Sequence, residues 1–379
     1  QQNHRRTNTV HVSSIFVDDK LKHLCPQIQP FELRAANWTM HCLRALLVCT
    51  AAAAVAPVSR RSLLKTTGAA AVATPLAANA ADKQPLLAAG TIAVPRVGFG
   101  LYKTAPEETK AAVALALEAG VRHFDTAAAY NNEAELGAAL REGDTGENVF
   151  ITTKVAATAG ASARDAVAAA ADRLKRAPDC VYIHSPLAPR EKRLETWAAL
   201  NEARREGLCR TLGAANCGLR HLKEFEIAGP APALVQLELS PYNQRPAEVA
   251  WARGNRAVVT CAAWSKLSGA YNWGSDAAYK TLNAACKAHG ATKAQILVRW
   301  ALQRGFVPLP RSGVSDSVQR LAIAQNSLAG VEGWQLSAQE MRSLNQLEDR
   351  LASGRLGRAD GWTADQVEGP DWDPTTYVD

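Results

Sequence analysis

Eight short apolar runs alternate with helix-like stretches, and that alternation constrains the chain more than any other feature. The runs are RVGFGLY (96–102), VRHFDTA (121–127), NVFITTKV (148–155), DCVYIHS (179–185), CRTLGAANC (209–217), ALVQLEL (233–239), AVVTCAAWS (257–265) and FVPLPRS (306–312). Between them lie stretches such as PEETKAAVALALEAG (106–120), ETWAALNEARREG (195–207) and TKAQILVRWALQRG (292–305), each ending in a glycine suited to close a helix. Continuously apolar strands joined by helices belong to a parallel sheet covered on both faces. Eight such units predict a (β/α)8 barrel. A doubly wound sheet is the alternative, but it needs a Gly-rich turn after its first strand, and GFGLYK (98–103) lacks that spacing. PLLAAGTIAVPRVG (85–98), with Gly90 at its turn, reads as a hairpin able to plug the bottom of the barrel. Ser337 and Glu340 form a capping box for a last helix. The tail WTADQVEGPDWDPTTYVD (362–379), polar and aromatic without periodicity, reads as a loop lying over the barrel mouth.

The first 80 residues do not share this pattern. They hold nine Lys and Arg against three Asp and Glu, leaving 34 basic and 33 acidic residues in the rest of the chain. The net charge of +7 therefore belongs mostly to that segment, and a general nucleic-acid surface is excluded for the remainder. Met40 opens a basic, Ala-rich, acid-free stretch of the transit-peptide kind, so the start of translation is expected there. SRRSLLKTTGAAAVATPLAANAA (59–81) follows, with the pair Arg60-Arg61, a short apolar region and a small-residue cleavage site at Ala78-Asn79-Ala80. We expect 1–80 to be a removed targeting segment and 81–379 the barrel domain. The expected destination is the plastid and, through the arginine pair, the thylakoid lumen; in a bacterium the same signal means the periplasm. The apolar run is too short to span a bilayer. Five cysteines remain beyond the presequence (Cys180, Cys209, Cys217, Cys261, Cys286), without CxxC or His spacing; they read as small core hydrophobes, with no metal site.

In such a barrel, chemistry gathers where strands end. The strand ends here carry Tyr102, Asp125, Lys154, His184, Asn216, Gln236, Ser265 and Arg311. Barrel interiors are packed with branched apolar residues, so this many polar ends predict one polar pocket.

The motifs FDTAAAYNNE (124–133), ITTK (151–154), YIHSP (182–186), LGAAN (212–216), LVQLELSPY (234–242), AAWSKLSG (262–269) and PLPRS (308–312) resemble those of the aldo-keto reductase family, in order, across residues 87–350. The resemblance implies NADPH-dependent reduction of aldehydes or ketones to alcohols by hydride transfer. It assigns Tyr130 as general acid, Lys154 as the charge that draws the phenol down from its usual value near 10, Asp125 as the anchor of Lys154, and His184 as the group orienting the carbonyl. General acid–base help of this kind is worth about 10²–10⁴-fold. It further implies that Asn216 and Gln236 hold the nicotinamide carboxamide, Trp264 stacks on that ring, Ser265 and Leu267 follow the pyrophosphate, Arg311 and Ser312 take the 2′-phosphate, and Gln325 and Asn326 contact the adenine. Tyr102, His184 and Trp273 would line the substrate pocket, with Trp362 and Trp372 nearby, and the short loop after the fourth strand leaves one wall low. The chain departs from the family pattern at Ala215 (usually Ser), Lys266 (usually Pro), Ser185 and Tyr102 (often Trp) and Arg311 (commonly Lys). The stretch from Ser312 to Asn326 is longer than usual, which leaves open whether Arg320 is the second phosphate arginine. The implied partner is a small carbonyl compound, and the implied state is a monomer. Two other readings use the same residues: a non-catalytic NADP-binding redox sensor or regulatory subunit, and an isomerase or aldolase with Lys154 as a Schiff base. The intact set of four disfavours the first.

Overall fold

Each of the eight apolar runs becomes a strand. The structure, a computed structural model, describes residues 86–89, 92–143, 148–262, 276–347, 375, 377 and 378. Strands β1 (Leu86–Ala89) and β2 (Ile92–Pro95) pair antiparallel as the predicted hairpin. Then follow β3 (Phe99–Gly100), β4 (His123–Asp125), β5 (Phe150–Val155), β6 (Cys180–Ile183), β7 (Thr211–Ala215), β8 (Leu234–Glu238), β9 (Val258–Ala262) and β10 (Val307–Pro308). These eight lie in chain order and every neighbouring pair is parallel. The two ends meet: Gly98 N donates to Pro308 O at 2.9 Å and Gly100 N to Pro310 O at 3.0 Å. The expected (β/α)8 barrel is therefore closed.

Helices cover the outside. They are α1 (Pro106–Glu118), α2 (Glu133–Glu142), α3 (Ala163–Leu174), α4 (Arg190–Arg205), α5 (Leu219–Ala228), α6 (Pro246–Gly254), α7 (Asp276–His289), α8 (Lys293–Gln303), α9 (Ser317–Gln325), α10 (Leu328–Val331) and α11 (Ala338–Asn345). Helix α1 starts with Pro106 at its first turn, where a missing N–H costs nothing, and Glu107 and Glu108 complement the helix dipole. The glycines expected to end three helices adopt left-handed φ values, 79° at Gly120, 80° at Gly207 and 76° at Gly305. The capping box of α11 forms, with Glu340 N on Ser337 Oγ and Ser337 N on Glu340 Oε2.

All six residues of β5 are buried, as a strand covered on both faces requires. Outward residues such as Val181, Ile183 and Val235 pack with Leu200, Leu222, Ile296 and Trp300 of the helices. Burying each aliphatic chain of this kind contributes about 1.5–3 kcal/mol. A second cluster fills the barrel itself, where Phe150, Cys180, Tyr182, Leu234, Val258, Val307 and Leu309 meet Ile92 and Val94 of the hairpin. The hairpin thus plugs the barrel with its own apolar side chains. Gly213 makes room for the Tyr182 ring, since a Cβ there would lie 2.4 Å from it. Four of the five cysteines beyond residue 80 are buried among these groups, and Cys286 is half-buried. At the other end of the chain, Thr375 and Tyr377 lie against the starts of α5 and α6: Arg245 donates to Thr375 Oγ1 at 2.7 Å and His221 Nε2 is 3.0 Å from Tyr377 O. No helix among the described residues is long and apolar enough to cross a membrane. The expected targeting segment, 1–80, and most of the tail lie outside the described residues.

Candidate active site

Asp125 ends β4 beside Thr152 of β5. Residues two apart on a strand share a face, so Thr152 and Lys154 both enter the barrel. The ammonium of Lys154 is 2.6 Å from Asp125 Oδ2 and donates to Thr126 O at 2.9 Å. The other carboxylate oxygen accepts from Thr152 Oγ1 at 2.6 Å and from Gln236 Nε2 at 2.8 Å, the latter reaching across the barrel from β8. Asp125 and Lys154 are 4% and 1% exposed, so the pair is dry and its geometry fixed.

Tyr130 comes next, at the end of a single 3-10 turn, Ala128–Tyr130. Asn131 leaves that turn in a left-handed conformation, φ 55°, which an asparagine tolerates. Asn132 locks the loop: its Oδ1 accepts from Thr126 Oγ1 at 2.6 Å, and its Nδ2 donates to Leu101 O and Thr104 O. Glu133 is buried too, accepting from Thr153 Oγ1 and paired with Arg173 at 2.7 Å. These bonds carry Tyr130 back over the barrel mouth. Its ring centre is 4.9 Å from the Lys154 ammonium, 5.1 Å from the Tyr102 ring and 5.8 Å from the His184 ring, the last edge-on.

His184 leaves β6, its backbone N–H on Val155 O. Asn216, at φ 58°, donates from Nδ2 to His184 O at 2.8 Å and so ties the ends of β6 and β7 together. The predicted catalytic group of Asp125, Lys154, Tyr130 and His184 is therefore assembled at one end of the barrel, with Tyr102 on its rim.

The electrostatics follow from burial. Loss of water disfavours a protonated His184, and the Lys154 charge adds to this; its pKa falls to about 3, so the ring is neutral at physiological pH. Burial also opposes the Lys154 ammonium, but Asp125 and the Tyr130 phenol outweigh it and raise Lys154 above its usual value. For Tyr130 the sequence reading expected Lys154 to bring the phenol down. Lys154 does act in that direction, but burial acts the other way and is larger, so the phenol lies above its ordinary value. A protonated phenol beside an ammonium and a neutral imidazole is a proton donor in waiting.

One layer below, His123 occupies the inward face two residues before Asp125 and is fully buried against Phe150. Among the described residues, neither ring nitrogen makes a hydrogen bond of ordinary geometry. Burial lowers its pKa to about 4.

The expected cofactor residues divide into three sets. Gln236 is buried, with its amide turned to Asp125. Arg311 is exposed after β10, and its guanidinium donates to Lys103 O; Ser312 donates to Gln319 O at 2.7 Å. Gln325 and Asn326 end α9, where Asn326 Oδ1 is a buried acceptor lacking a donor among the described residues. Arg320, on the same helix, is exposed and turns back to Val314 O. Trp264, Ser265, Leu267, Trp273, Trp362 and Trp372 lie outside the described residues.

Sequence reasoning missed Thr152, the second hydroxyl-bearing residue of ITTK counting back from the lysine. It also missed Arg193, which is fully buried, pairs with Glu224 at 2.8 Å and donates to Pro186 O and Ala188 O. Arg193 thereby fixes the loop just beyond His184. Its signal was position, since it shares a helix face with Trp197 and Leu200.

A closed barrel with an acid–base group at the C-terminal ends of its strands defines a (β/α)8-barrel enzyme. The chain belongs to the aldo-keto reductase family, whose pattern matches residues 87–349; it is an oxidoreductase. It is 35% identical over 269 residues to an aldo-keto reductase of Mycobacterium sp. strain JLS, covering 70% of this chain and 92% of that one. It is 32% identical over 225 residues to the methylglyoxal reductase of Escherichia coli K12, covering 58% of this chain and 79% of the other. Among solved structures, a Bombyx mori aldo-keto reductase in complex with NADP superposes with a TM-score of 0.58 at 27% identity, covering 68% of this chain and 90% of that one.

Proposed function

We propose that this protein reduces aldehydes or ketones to alcohols with NADPH, Tyr130 supplying the proton. The observation that carries the reading is the dry Asp125–Lys154 pair, 2.6 Å apart, with its ammonium facing the Tyr130 ring. The ammonium opposes the rise that burial gives the phenol, and stabilises the phenolate left once its proton is given up. His184, neutral and edge-on to Tyr130, donates a hydrogen bond to the carbonyl oxygen and turns it toward the phenol. Asp125 keeps the ammonium in place and does not itself react.

The residues present suit NADPH. Arg311 offers an exposed guanidinium for the 2′-phosphate beside the Ser312 hydroxyl, and Asn326 Oδ1, without a donor among the described residues, is an acceptor for the adenine amino group. Asn216 and Gln236 would hold the carboxamide end, where Gln236 also touches Asp125. Trp264, Ser265 and Leu267 would complete the cofactor's path. When bound, NADPH supplies the hydride. The named relatives, a methylglyoxal reductase and an NADP-bound reductase, support this substrate and cofactor class.

The test is NADPH consumption by the purified chain across a panel of small aldehydes and ketones, against the Tyr130→Phe variant. Turnover should be abolished in the variant while NADPH still quenches tryptophan fluorescence. Binding without turnover in the unmodified protein would favour the regulatory-subunit reading instead. We also propose that residues 1–80 direct the protein to the plastid.

A further inference from the structure

The last residues of the chain rest on the turn that carries Asn216. Strand β7 ends at Ala215, and Asn216, Cys217 and Gly218 lead into α5. Asn216 is left-handed at φ 58°, a conformation that strains a residue with a side chain and persists only where the surroundings hold it. Two residues on, a Cβ at Gly218 would run into Thr375 O, so the tail backbone packs directly on this glycine. Gly218 itself has an ordinary negative φ, −76°. The close approach of another backbone, not the local conformation, is what requires glycine there.

His221 makes the second contact. It is 1% exposed, and Gly218 N donates to its Nδ1 at 3.2 Å. Burial, helped by the Arg193 charge, lowers its pKa to about 4, so the ring is neutral. With Nδ1 accepting, the proton sits on Nε2, which donates to Tyr377 O at 3.0 Å. One imidazole thus joins the turn to the tail. Arg245, at the N-cap of α6 and also left-handed at φ 47°, donates to Thr375 Oγ1 at 2.7 Å. Glu248 of α6 accepts from Leu219 N at 3.3 Å, so the starts of α5 and α6 form one seat. Both helices follow barrel strands, which puts their starts at the catalytic end.

We propose that Thr375 and Tyr377 brace the Asn216 turn, with Gly218, His221 and Arg245 as the positioning residues that seat them, and so set how tightly the nicotinamide end of the cofactor is held. The inference rests on the assignment of Asn216 to the carboxamide. Asn216 N donates to Gln236 O at 2.9 Å and its Nδ2 to His184 O at 2.8 Å, so a turn that shifts carries this side chain away from the ends of β6 and β8 together. With the tail removed, Asn216 relaxes toward an ordinary φ. The cofactor must then restore the left-handed turn, and its apparent affinity falls by the fraction of chains that hold it unaided.

The experiment compares the full chain, a chain truncated after Pro374, Gly218→Ala, the two changes combined, and Asn216→Ala. NADPH affinity is read by tryptophan quenching, turnover by steady-state kinetics, and the turn itself by hydrogen exchange at the Asn216 and Gly218 amides without cofactor. Truncation and Gly218→Ala should each raise Kd and KM for NADPH roughly tenfold, the population lost when a left-handed asparagine is no longer held. At saturating NADPH kcat should stay near wild type, because bound cofactor re-forms the turn, whereas a general loss of packing would lower kcat as well. Both amides should exchange faster in both proteins. The combined variant should be no worse than truncation alone, since Gly218→Ala acts by expelling the tail. If the truncated chain fails to fold, Gly218→Ala, one methyl at a negative φ, decides alone. The proposal is overturned by unchanged exchange at both amides, by a Gly218→Ala effect that adds to truncation, or by NADPH affinity that survives truncation but not Asn216→Ala. If the full chain binds no NADPH, or Asn216→Ala binds it as tightly, the cofactor reading fails instead, and amide exchange alone decides the brace.

Discussion

Replacing Lys154 with methionine separates the two tasks of that ammonium. It is 2.6 Å from Asp125 Oδ2 and 1% exposed, and its loss leaves a buried carboxylate held, among the described residues, by Thr152 and Gln236. Breaking a buried pair from one side costs about 3–5 kcal/mol. The second task concerns Tyr130, whose ring centre is 4.9 Å from the ammonium. At that separation and an effective dielectric near 20, a unit charge interacts by about 3 kcal/mol with a phenolate, less whatever Asp125 cancels. With the cation gone, burial and the Asp125 charge both push the phenol up, and turnover should fall by about 10²–10⁴-fold. Urea unfolding and the pH profile of NADPH consumption read the two effects apart. Because the folded Lys154 pKa is raised, the pair's contribution is fully present below the ordinary lysine value of 10.5 and lost only as pH rises through the higher folded value. The stability deficit of Lys154→Met should therefore be flat across neutral pH. The double variant Asp125→Asn/Lys154→Met removes both charges, so it should regain most of the stability and none of the activity. A Lys154→Met protein as stable and as active as wild type would refute the reasoning, and so would a double variant that recovers turnover.

Other outcomes follow from particular contacts. Arg311→Ala should raise KM for NADPH far more than for NADH; equal effects would remove Arg311 from phosphate binding. His123 carries a pH signature: the unfolded imidazole gains a proton as pH falls below 6.5, whereas the native ring resists until about 4. Stability should thus drop by roughly 3 kcal/mol through that window from this residue alone. His123→Leu should move the acid-unfolding midpoint to lower pH, and an unchanged midpoint would show that other groups govern it. Arg60→Lys with Arg61→Lys should keep the protein in the stroma or cytoplasm; unaltered fractionation would count against lumenal delivery.

The barrel was legible because its strands are buried on both faces, which turns each into a continuous apolar run such as NVFITTKV. The four candidate catalytic groups were legible because each ends or follows such a run. Other features depend on what meets across the lumen, and the chain order does not contain that. Gln236 reaches Asp125 from the opposite wall because of the strand stagger, which no local pattern encodes. The upward direction of the Tyr130 pKa comes from water lost when the loop after β4 folds over the mouth, a quantity set by packing. Helix α7 also ends before a left-handed glycine, Gly290 at φ 60°, the same closing signal that Gly120, Gly207 and Gly305 supply to their helices. His123 was readable in principle, since it shares an inward face with Asp125 two positions later.

The join between β3 and β10 has a mechanical consequence. On this edge β10 accepts through Pro308 O and Pro310 O, yet a proline nitrogen has no hydrogen to give back. The joint is therefore knit from one side, while the other parallel pairs can exchange donors in both directions. Arg311, the next residue, spans the gap by gripping Lys103 O with its side chain. A ligand that draws this guanidinium away would loosen the cylinder at its thinnest stave, so amide exchange at Gly98 and Gly100 should quicken as the phosphate end of the cofactor settles.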